Sequence, residues 1–152
     1  MISVRINANG IDALVKKLLE FGKEGKKEIR RAVIAATMKA QEQAKKNVLH
    51  GEKTGIIYHR TPGGGVSSTH QASAPGESPA TDTGDLARSI KADAPKGLIF
   101  SDLDYAFWLE FGTRDGKIKP RPFLTPAAES VKPFLVIKLK EGLKKAAERA
   151  GF

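Results

Sequence analysis

Residues 105–128, YAFWLEFGTRDGKIKPRPFLTPAA, decide how this chain folds. The stretch opens with an aromatic run that contains the single Trp, Trp108, and the run breaks at Gly112. A basic loop follows, and then three prolines: Pro120, Pro122 and Pro126. A proline fixes its own φ and restricts the residue before it, so the backbone path into the next element is stiffened. The stretch therefore predicts a defined surface shape, since no nucleophile and base are gathered in it.

The aromatic run predicts a short helix that ends at Gly112, because its apolar positions fit a one-sided helical turn better than strand alternation. We expect residues 113–121 to form a loop that leads into a third strand or an extended arm. A last helix is predicted from Thr125, with Thr125 as its cap and Pro126 at its first position. Pro133 predicts a kink or a restart in that helix.

Upstream of this stretch, two short runs predict a β-hairpin. The first strand is expected over Ser89–Asp93 and the second over Leu98–Ser101, joined by the four-residue turn Ala94–Gly97.

The first fifty residues predict a strand followed by two helices. Apolar and polar residues alternate over 2–6, which is the pattern of a half-buried strand. A short helix is expected over 11–21, with interruptions at Gly22 and Gly25. From Lys26 a helix of about two dozen residues is predicted, and its narrow Ala-rich stripe suits close packing against a sheet or a neighbouring subunit.

Between Gly51 and Thr83 the apolar periodicity disappears, and Gly, Ser, Thr and Pro dominate. Loops longer than about 15 residues are uncommon in compact domains and are usually functional or disordered. We therefore expect residues 60–82 to be a flexible loop, mobile in the monomer and ordered at least in part by a partner. The residues assigned to docking in and just after this loop are His70, Ala74, Pro75, Gly76, Pro79, Thr83 and Gly84.

These elements predict an α+β fold in one domain, residues 1–152, with a small mixed or antiparallel sheet packed against the long helix and the C-terminal helix. A chain of 152 residues buries roughly 70% of its unfolded surface, enough for a core. It contains no Cys, which excludes disulfides and thiolate metal sites. No apolar run approaches the ~20 residues of a membrane span, and no secretory signal is visible, so we expect synthesis in a cytoplasm and no membrane partner.

The sequence holds no constellation for catalysis. No Ser-His-Asp, Cys-His or Gly-rich nucleotide arrangement stands at a credible spacing, so we expect no enzyme activity, no cofactor and no small-molecule substrate. The three histidines lie in loop-like sequence at intervals unlike any zinc motif, and no metal site is expected. Glu110 stands inside the aromatic run, and the expected partner of its carboxylate is a nearby arginine, Arg114 or Arg121.

The aromatic side chains allow two roles. Trp108, Phe107, Phe111 and Phe123 could stack on nucleic-acid bases, whereas dense aromatic clusters more often form the core of a small domain. Phe123 lies between two prolines, which favours a plug that fills a pocket. That pocket can belong to the same chain or to a neighbour, and the sequence leaves both open.

The net charge of +9 is unevenly placed. Residues 1–50 carry 11 Lys/Arg and 5 Asp/Glu, residues 51–131 carry 9 and 10, and residues 132–152 carry 6 and 2. The basic charge therefore sits on the two predicted helical ends. Such a helix face attracts phosphate without reading base sequence, and the alternative is a solvated face that keeps the protein soluble.

Two blocks of sequence carry a resemblance to a known family. The first is Tyr105-Ala106, Glu110-Phe111-Gly112-Thr113, Pro122-Phe123-Leu124 and Pro126-Ala127. The second is an Ala-Pro-Gly loop within residues 73–79, followed by Thr83-Gly84-Asp85-Leu86 and Ser89-Ile90. In this order the blocks resemble the head–tail joining and tail-completion proteins of long-tailed phages, the tail-component or minor tail protein Z-like family. With the flanking helices, the resemblance covers most of the chain.

The resemblance implies a structural virion protein of the phage neck. Such proteins form a ring, hexameric on assembly, between the head connector and the tail tube, and they let DNA pass. Its partners would be copies of itself, the head connector or head-completion protein, and the tail tube or terminator. The expected assembly residues are Tyr105, Trp108, Glu110, Phe111, Gly112, Thr113, Pro122, Phe123, Leu124 and Pro126, and the candidate DNA-facing residues are Arg114, Lys117, Lys119 and Arg121.

Two alternatives stand beside this hypothesis. One is a nucleic-acid-binding module that uses the basic helices and the aromatic platform directly. The other is the tail-terminator class of phage ring proteins, which differ in the end of the tube that they bind.

Overall fold

The structure, a computed structural model, describes residues 9–60 and 68–152. Within these ranges the chain forms an α+β fold with two separate two-stranded antiparallel sheets, which confirms the predicted class. The predicted strand over residues 2–6 lies outside the described residues. In chain order the elements are α1 (Asn9–His50), β1 (Ile57–Arg60), β2 (Ser68–Gln71), α2 (Asp85–Ser89), β3 (Ile90–Asp93), β4 (Leu98–Ser101), α3 (Asp104–Phe111), α4 (Leu124–Ser130) and α5 (Lys132–Arg149).

The helix α1 runs unbroken for 42 residues, so the predicted interruption at Gly22 and Gly25 is wrong. A helical Gly costs about 1 kcal/mol relative to Ala, and packing against α5 offsets this cost. A Cβ built on Gly25 would lie 3.8 Å from the side chain of Leu143. One turn further on, Glu28 accepts a hydrogen bond from Arg149 of α5 at 2.9 Å. Contacts distant in sequence therefore stabilise the helix around Gly25.

The core lies between α1 and the elements that follow the central segment. Ala44 and Val48 of α1 are fully buried, as the Ala-rich stripe predicted. They belong to one cluster with Leu86, Ala87, Ile90, Ala106, Phe123 and Ala127. Small side chains on α1 let α4 and β3 approach its axis closely, so the stripe is explained by packing within this chain.

The hairpin predicted upstream of the aromatic run is confirmed as β3 and β4. Ile90 pairs with Ser101 and Asp93 with Leu98, and the connection over 94–97 ends on Gly97 with φ +70°. The hairpin lies on α1, because Gln41 donates a hydrogen bond to the carbonyl of Ile90 at 2.9 Å.

A second hairpin, β1 with β2, occupies part of the segment predicted to be a flexible loop. Tyr58 pairs with His70, and the ladder continues as the Ala72 N–H donates to the Ile56 carbonyl at 3.0 Å. Residues 72–82 also have a defined path, since the Gly76 N–H donates to the Pro120 carbonyl at 2.9 Å. The predicted loop is thus corrected over 68–71, which form β2, whereas residues 72–82 are a loop whose path is held by backbone hydrogen bonds. Its mobility stays a prediction, and 61–67 lie outside the described residues.

The C-terminal third follows the prediction in its helices and departs from it between them. The aromatic run is helical, Gly112 ends α3 with φ +77°, and the helix restarts at α5 as Pro133 predicted. The predicted loop over 113–121 leads into a third strand or an extended arm, and of these two alternatives the strand is wrong, because no strand lies among the described residues between α3 and α4. Instead the loop closes on itself, with the Thr113 N–H donating to the Ile118 carbonyl at 3.0 Å. α4 starts at Leu124, one residue before the predicted Thr125 cap.

Candidate assembly surface

A buried carboxylate joins the end of α3 to the start of α4. Glu110 is 6% exposed, and its Oε2 accepts the backbone N–H groups of Phe123 at 2.9 Å and Leu124 at 3.0 Å. Its Oε1 accepts the Thr125 N–H at 2.8 Å. The first N–H groups of a helix have no partner within the helix, and a negative charge is favourable there. We call this arrangement the Glu110 clamp. It caps the first N–H groups of α4, a role that the sequence assigns to Thr125.

The clamp keeps Glu110 ionised. Burial of the carboxyl acts to raise its pKa, but the hydrogen bonds from the three backbone N–H groups, together with one from the Thr125 side chain, outweigh burial. The pKa of Glu110 is therefore held below its ordinary value. The ion pair expected with Arg114 or Arg121 is wrong, because the fold brings unpaired N–H groups to the carboxylate.

Phe123 fills the chain's own core. Its side chain is fully buried in the cluster that contains Ala44 and Val48, so of the two pockets that the sequence leaves open, the one in the same chain is filled, and the assignment of Phe123 to the assembly residues is corrected. Leu124 packs against the same cluster and is half-buried. The two residues fix α4 on α1, and they offer little surface to a partner.

The remaining turn and proline residues of the predicted interface shape the backbone. A Cβ on Gly112 would lie 2.8 Å from the Ile118 carbonyl oxygen, so glycine is needed for the loop to close. Thr113 is half-buried inside that loop, and Pro122 is half-buried with its carbonyl accepting from the Ser78 hydroxyl at 3.3 Å. Of this group only Pro126 is exposed.

Four aromatic side chains on α3 are exposed, and we call them the aromatic face: Tyr105, Phe107, Trp108 and Phe111. Each is between 44% and 63% exposed. Phe107 stacks edge-on against Trp108 at 5.2 Å between ring centroids and lies 5.1 Å from Phe111. Monomeric proteins rarely expose contiguous apolar patches of this kind, and such patches mark interaction sites.

An open groove runs beside this face, between β4 and α3. Its volume is about 430 Å³, which lies within the range of ligand-sized clefts. Apolar side chains form most of the lining, among them Phe100, Phe107 and Phe111, while Asp102 and Asp104 also line it. The groove is therefore apolar with an acidic part.

The candidate DNA-facing residues separate into two groups. Arg114, Lys117 and Lys119 are exposed on the loop after α3, and Lys117 forms an ion pair with Asp115 at 3.2 Å. Arg121 is half-buried and donates from Nε to the Ser73 carbonyl at 3.1 Å. Arg121 therefore holds the central segment in place, and its assignment to DNA is corrected.

The predicted docking residues of the central segment lie in described structure, and none of them is among the residues that line the groove. His70 and Pro79 line a small cavity with Leu109 and Arg121, and Pro79 is buried. Ala74 donates its N–H to the Glu77 carboxylate at 2.7 Å, which forms a turn that leaves Pro75 and Gly76 exposed. Thr83 and Gly84 lead into α2, where Arg88 donates to the Thr83 carbonyl at 2.9 Å and Gly84 adopts φ +78°.

Sequence reasoning missed several exposed apolar residues. Phe107 was considered only for base stacking or the core, yet it is central to the aromatic face. Ile56, Ile57 and Tyr58 are more than half exposed on β1 and just before it. Two β-branched residues followed by an aromatic are typical of a strand, and that signal stands inside the segment otherwise dominated by Gly, Ser and Pro.

Among the described residues, no group of three or more His, Asp or Glu side chains is placed to hold a metal ion. No helix within 9–60 or 68–152 is long and apolar enough to cross a membrane. Comparison of the chain with protein-family models, curated proteins and solved structures gave no significant match.

Proposed function

We propose that this protein is a structural component of the neck of a long-tailed phage. Copies assemble there into a ring that joins the head connector to the tail tube, and the protein is made in the cytoplasm of the bacterial host. The phage assignment rests on the sequence resemblance. Its motif residues are also close in space, because the Glu110 clamp connects the Glu-Phe-Gly-Thr block to the Pro-Phe-Leu block.

The observation that carries the proposal is the aromatic face. An aromatic side chain offers about 150–250 Å² of surface, so four that are roughly half exposed present on the order of 400 Å². A stable interface buries roughly 800 Å² on each partner, so the face and its groove could supply about half of one. The clamp holds α3 in place from beneath, which lowers the ordering cost of association.

The exposed part of the basic loop supports the passage of DNA. Arg114, Lys117 and Lys119 follow directly after the aromatic face, where they can attract phosphate without base recognition. The same adjacency of aromatic and basic residues favours the nucleic-acid-binding module as the second candidate. A dedicated binder of duplex DNA should bind tightly at low salt and lose affinity steeply, at a slope of about −0.9 per phosphate contacted, whereas a ring protein with few phosphate contacts should bind weakly and with a shallow slope.

The test compares two exposed apolar positions, Phe111→Ser on the aromatic face and Ile137→Ser on α5. Both native side chains are more than half exposed, so both variants should unfold at the wild-type temperature. We expect the wild type and the Ile137 variant to join purified tails or filled heads as rings seen by electron microscopy. The Phe111 variant should be absent from the particles. Wild-type incorporation of the Phe111 variant, or equal loss in both, would contradict the proposal.

A further inference from the structure

The β1–β2 hairpin exposes apolar residues that no helix of the described chain covers. Ile56 and Tyr58 stand two residues apart in extended backbone, so their side chains share one face, and they are 70% and 55% exposed. A two-stranded hairpin is marginally stable in water without a third element on it. The hairpin therefore exposes an apolar surface, and a partner packed on that surface would stabilise the hairpin.

The groove beside the aromatic face matches this hairpin in chemistry. Its lining is mostly apolar and includes Phe100 and Phe107, which suits Ile56 and Tyr58. Asp104 adds an exposed carboxylate to the groove, whereas Asp102 is already paired with Lys91, and the sequence places Arg60 at the end of β1. Complementary charge next to apolar contact fixes the register of a docked strand.

Within one chain the two surfaces share no lining residue. The groove is lined by Ala106, Phe107, Glu110 and Phe111 of α3, whereas the base of the hairpin shares a cavity with Leu109. At about 100° per residue, position 109 lies about 60° from 106, about 100° from 110 and about 160° from 107 and 111. The groove is therefore not lined by the hairpin of its own chain, and it is open to the hairpin of another copy.

We infer that the β1–β2 hairpin of one copy docks into the groove between β4 and α3 of the next copy, with Ile56 and Tyr58 against the aromatic face. The contact joins two different surfaces of the same protein, so it is heterologous and generates a ring when the rotation closes. This inference rests on the proposed ring function and names the surface that meets the aromatic face.

Cysteine cross-linking tests the contact directly, because the chain has no Cys of its own. Thr69→Cys on β2 and Asp102→Cys at the groove are combined in one chain; both positions are exposed, and Ile56, Tyr58, Asp104 and the aromatic face stay intact. Rings assembled on tails are treated with a short bis-maleimide. We expect a ladder of covalent oligomers that ends at the ring size. A mixture of the two single variants should give dimers only, and the pair Ile137→Cys with Asp102→Cys should give no ladder.

A second variant, Ile56→Ser with Tyr58→Ser, checks the same contact without cross-linking. It should unfold at the wild-type temperature and be lost from the particles. Rings that form normally but give no ladder from the Thr69→Cys and Asp102→Cys pair would overturn the inference and leave the ring function standing. A cross-link within dilute monomers would overturn it in favour of docking inside one chain. Absence of any ring, alone or with tails, would overturn the inference and the proposed function together.

Discussion

The two hairpins have the same size and pairing pattern but opposite surroundings. Each has two strands of four residues, and each begins with an isoleucine, Ile57 in β1 and Ile90 in β3. Ile90 is 1% exposed in the core against α1, whereas Ile57 is 53% exposed. The same residue at the same position thus serves folding in one hairpin and is available to a partner in the other. Local sequence explains that both are strands, and only packing separates their roles.

The largest expected effect on stability comes from replacing the first isoleucine of the buried hairpin. Ile90→Ala should destabilise the protein by about 2–5 kcal/mol, because it opens a cavity in a core that cannot fully collapse. Ile57→Ala is the matched control and should change stability by no more than about 0.5 kcal/mol, as surface substitutions do. Urea unfolding followed by circular dichroism measures both. Similar losses for the two variants would show that β1 is packed within its own chain.

A smaller effect is expected where the packed region is held together, at the Glu110 clamp. Glu110→Gln keeps the side-chain shape but replaces one acceptor oxygen by a donor group, so at least one buried N–H loses its partner. The cost should be about 1–3 kcal/mol in the free energy of unfolding at neutral pH. An unchanged unfolding midpoint would mean that the clamp adds nothing to stability.

The same substitution has a pH signature. The pKa of Glu110 is lowered in the folded protein, so its stabilising contribution is full above the unfolded value of about 4.3 and is lost as the pH falls through the folded value. From pH 6 down to pH 3, the wild type should therefore lose more stability than Glu110→Gln, and the two curves should converge. Parallel curves would contradict the assignment.

The smallest effect concerns the base of the exposed hairpin, where Glu77 accepts hydrogen bonds from the N–H groups of Thr54 and Ala74. Glu77→Gln should loosen β1 and β2 while leaving β3 and β4 unchanged. Amide hydrogen exchange should become faster at Gly55 and Ala72 and remain the same across residues 90–101. Faster exchange in both hairpins would mean that they unfold as one unit, against the comparison.

Much of the fold could be predicted from the sequence because its signals are local. The turn ending at Gly97 identified the β3–β4 hairpin, and the break after the aromatic run identified the end of α3. The unbroken α1 could not be predicted, since Gly25 is compensated by Leu143, more than a hundred residues away. Helix propensity records the cost of a glycine but not the contact that offsets it.

The candidate surface could be predicted only in part. The sequence singles out the aromatic residues of α3 and Phe123, but it does not show which of these side chains are exposed and which is buried. Phe123 is buried and Phe111 is exposed because the clamp turns α4 toward α1, and that turn depends on a carboxylate 13 residues upstream. Arg121 likewise donates to the Ser73 carbonyl of the central segment, and no local sequence pattern indicates this partner.

The length of α1 gives the molecule a mechanical property. At 1.5 Å per residue, its 42 residues extend roughly 63 Å, while a compact domain of 152 residues has a radius of gyration of about 15 Å. Its second half is held by β3 and α4, and the C-terminal segment holds its first half, where Lys17 donates to the Gly151 carbonyl at 2.8 Å and the Phe21 ring meets the Phe152 ring at 6.1 Å between centroids. The helix is therefore supported from Lys17 to its end, so that a displacement of the core near Ala44 is transmitted rigidly to the C-terminal helix.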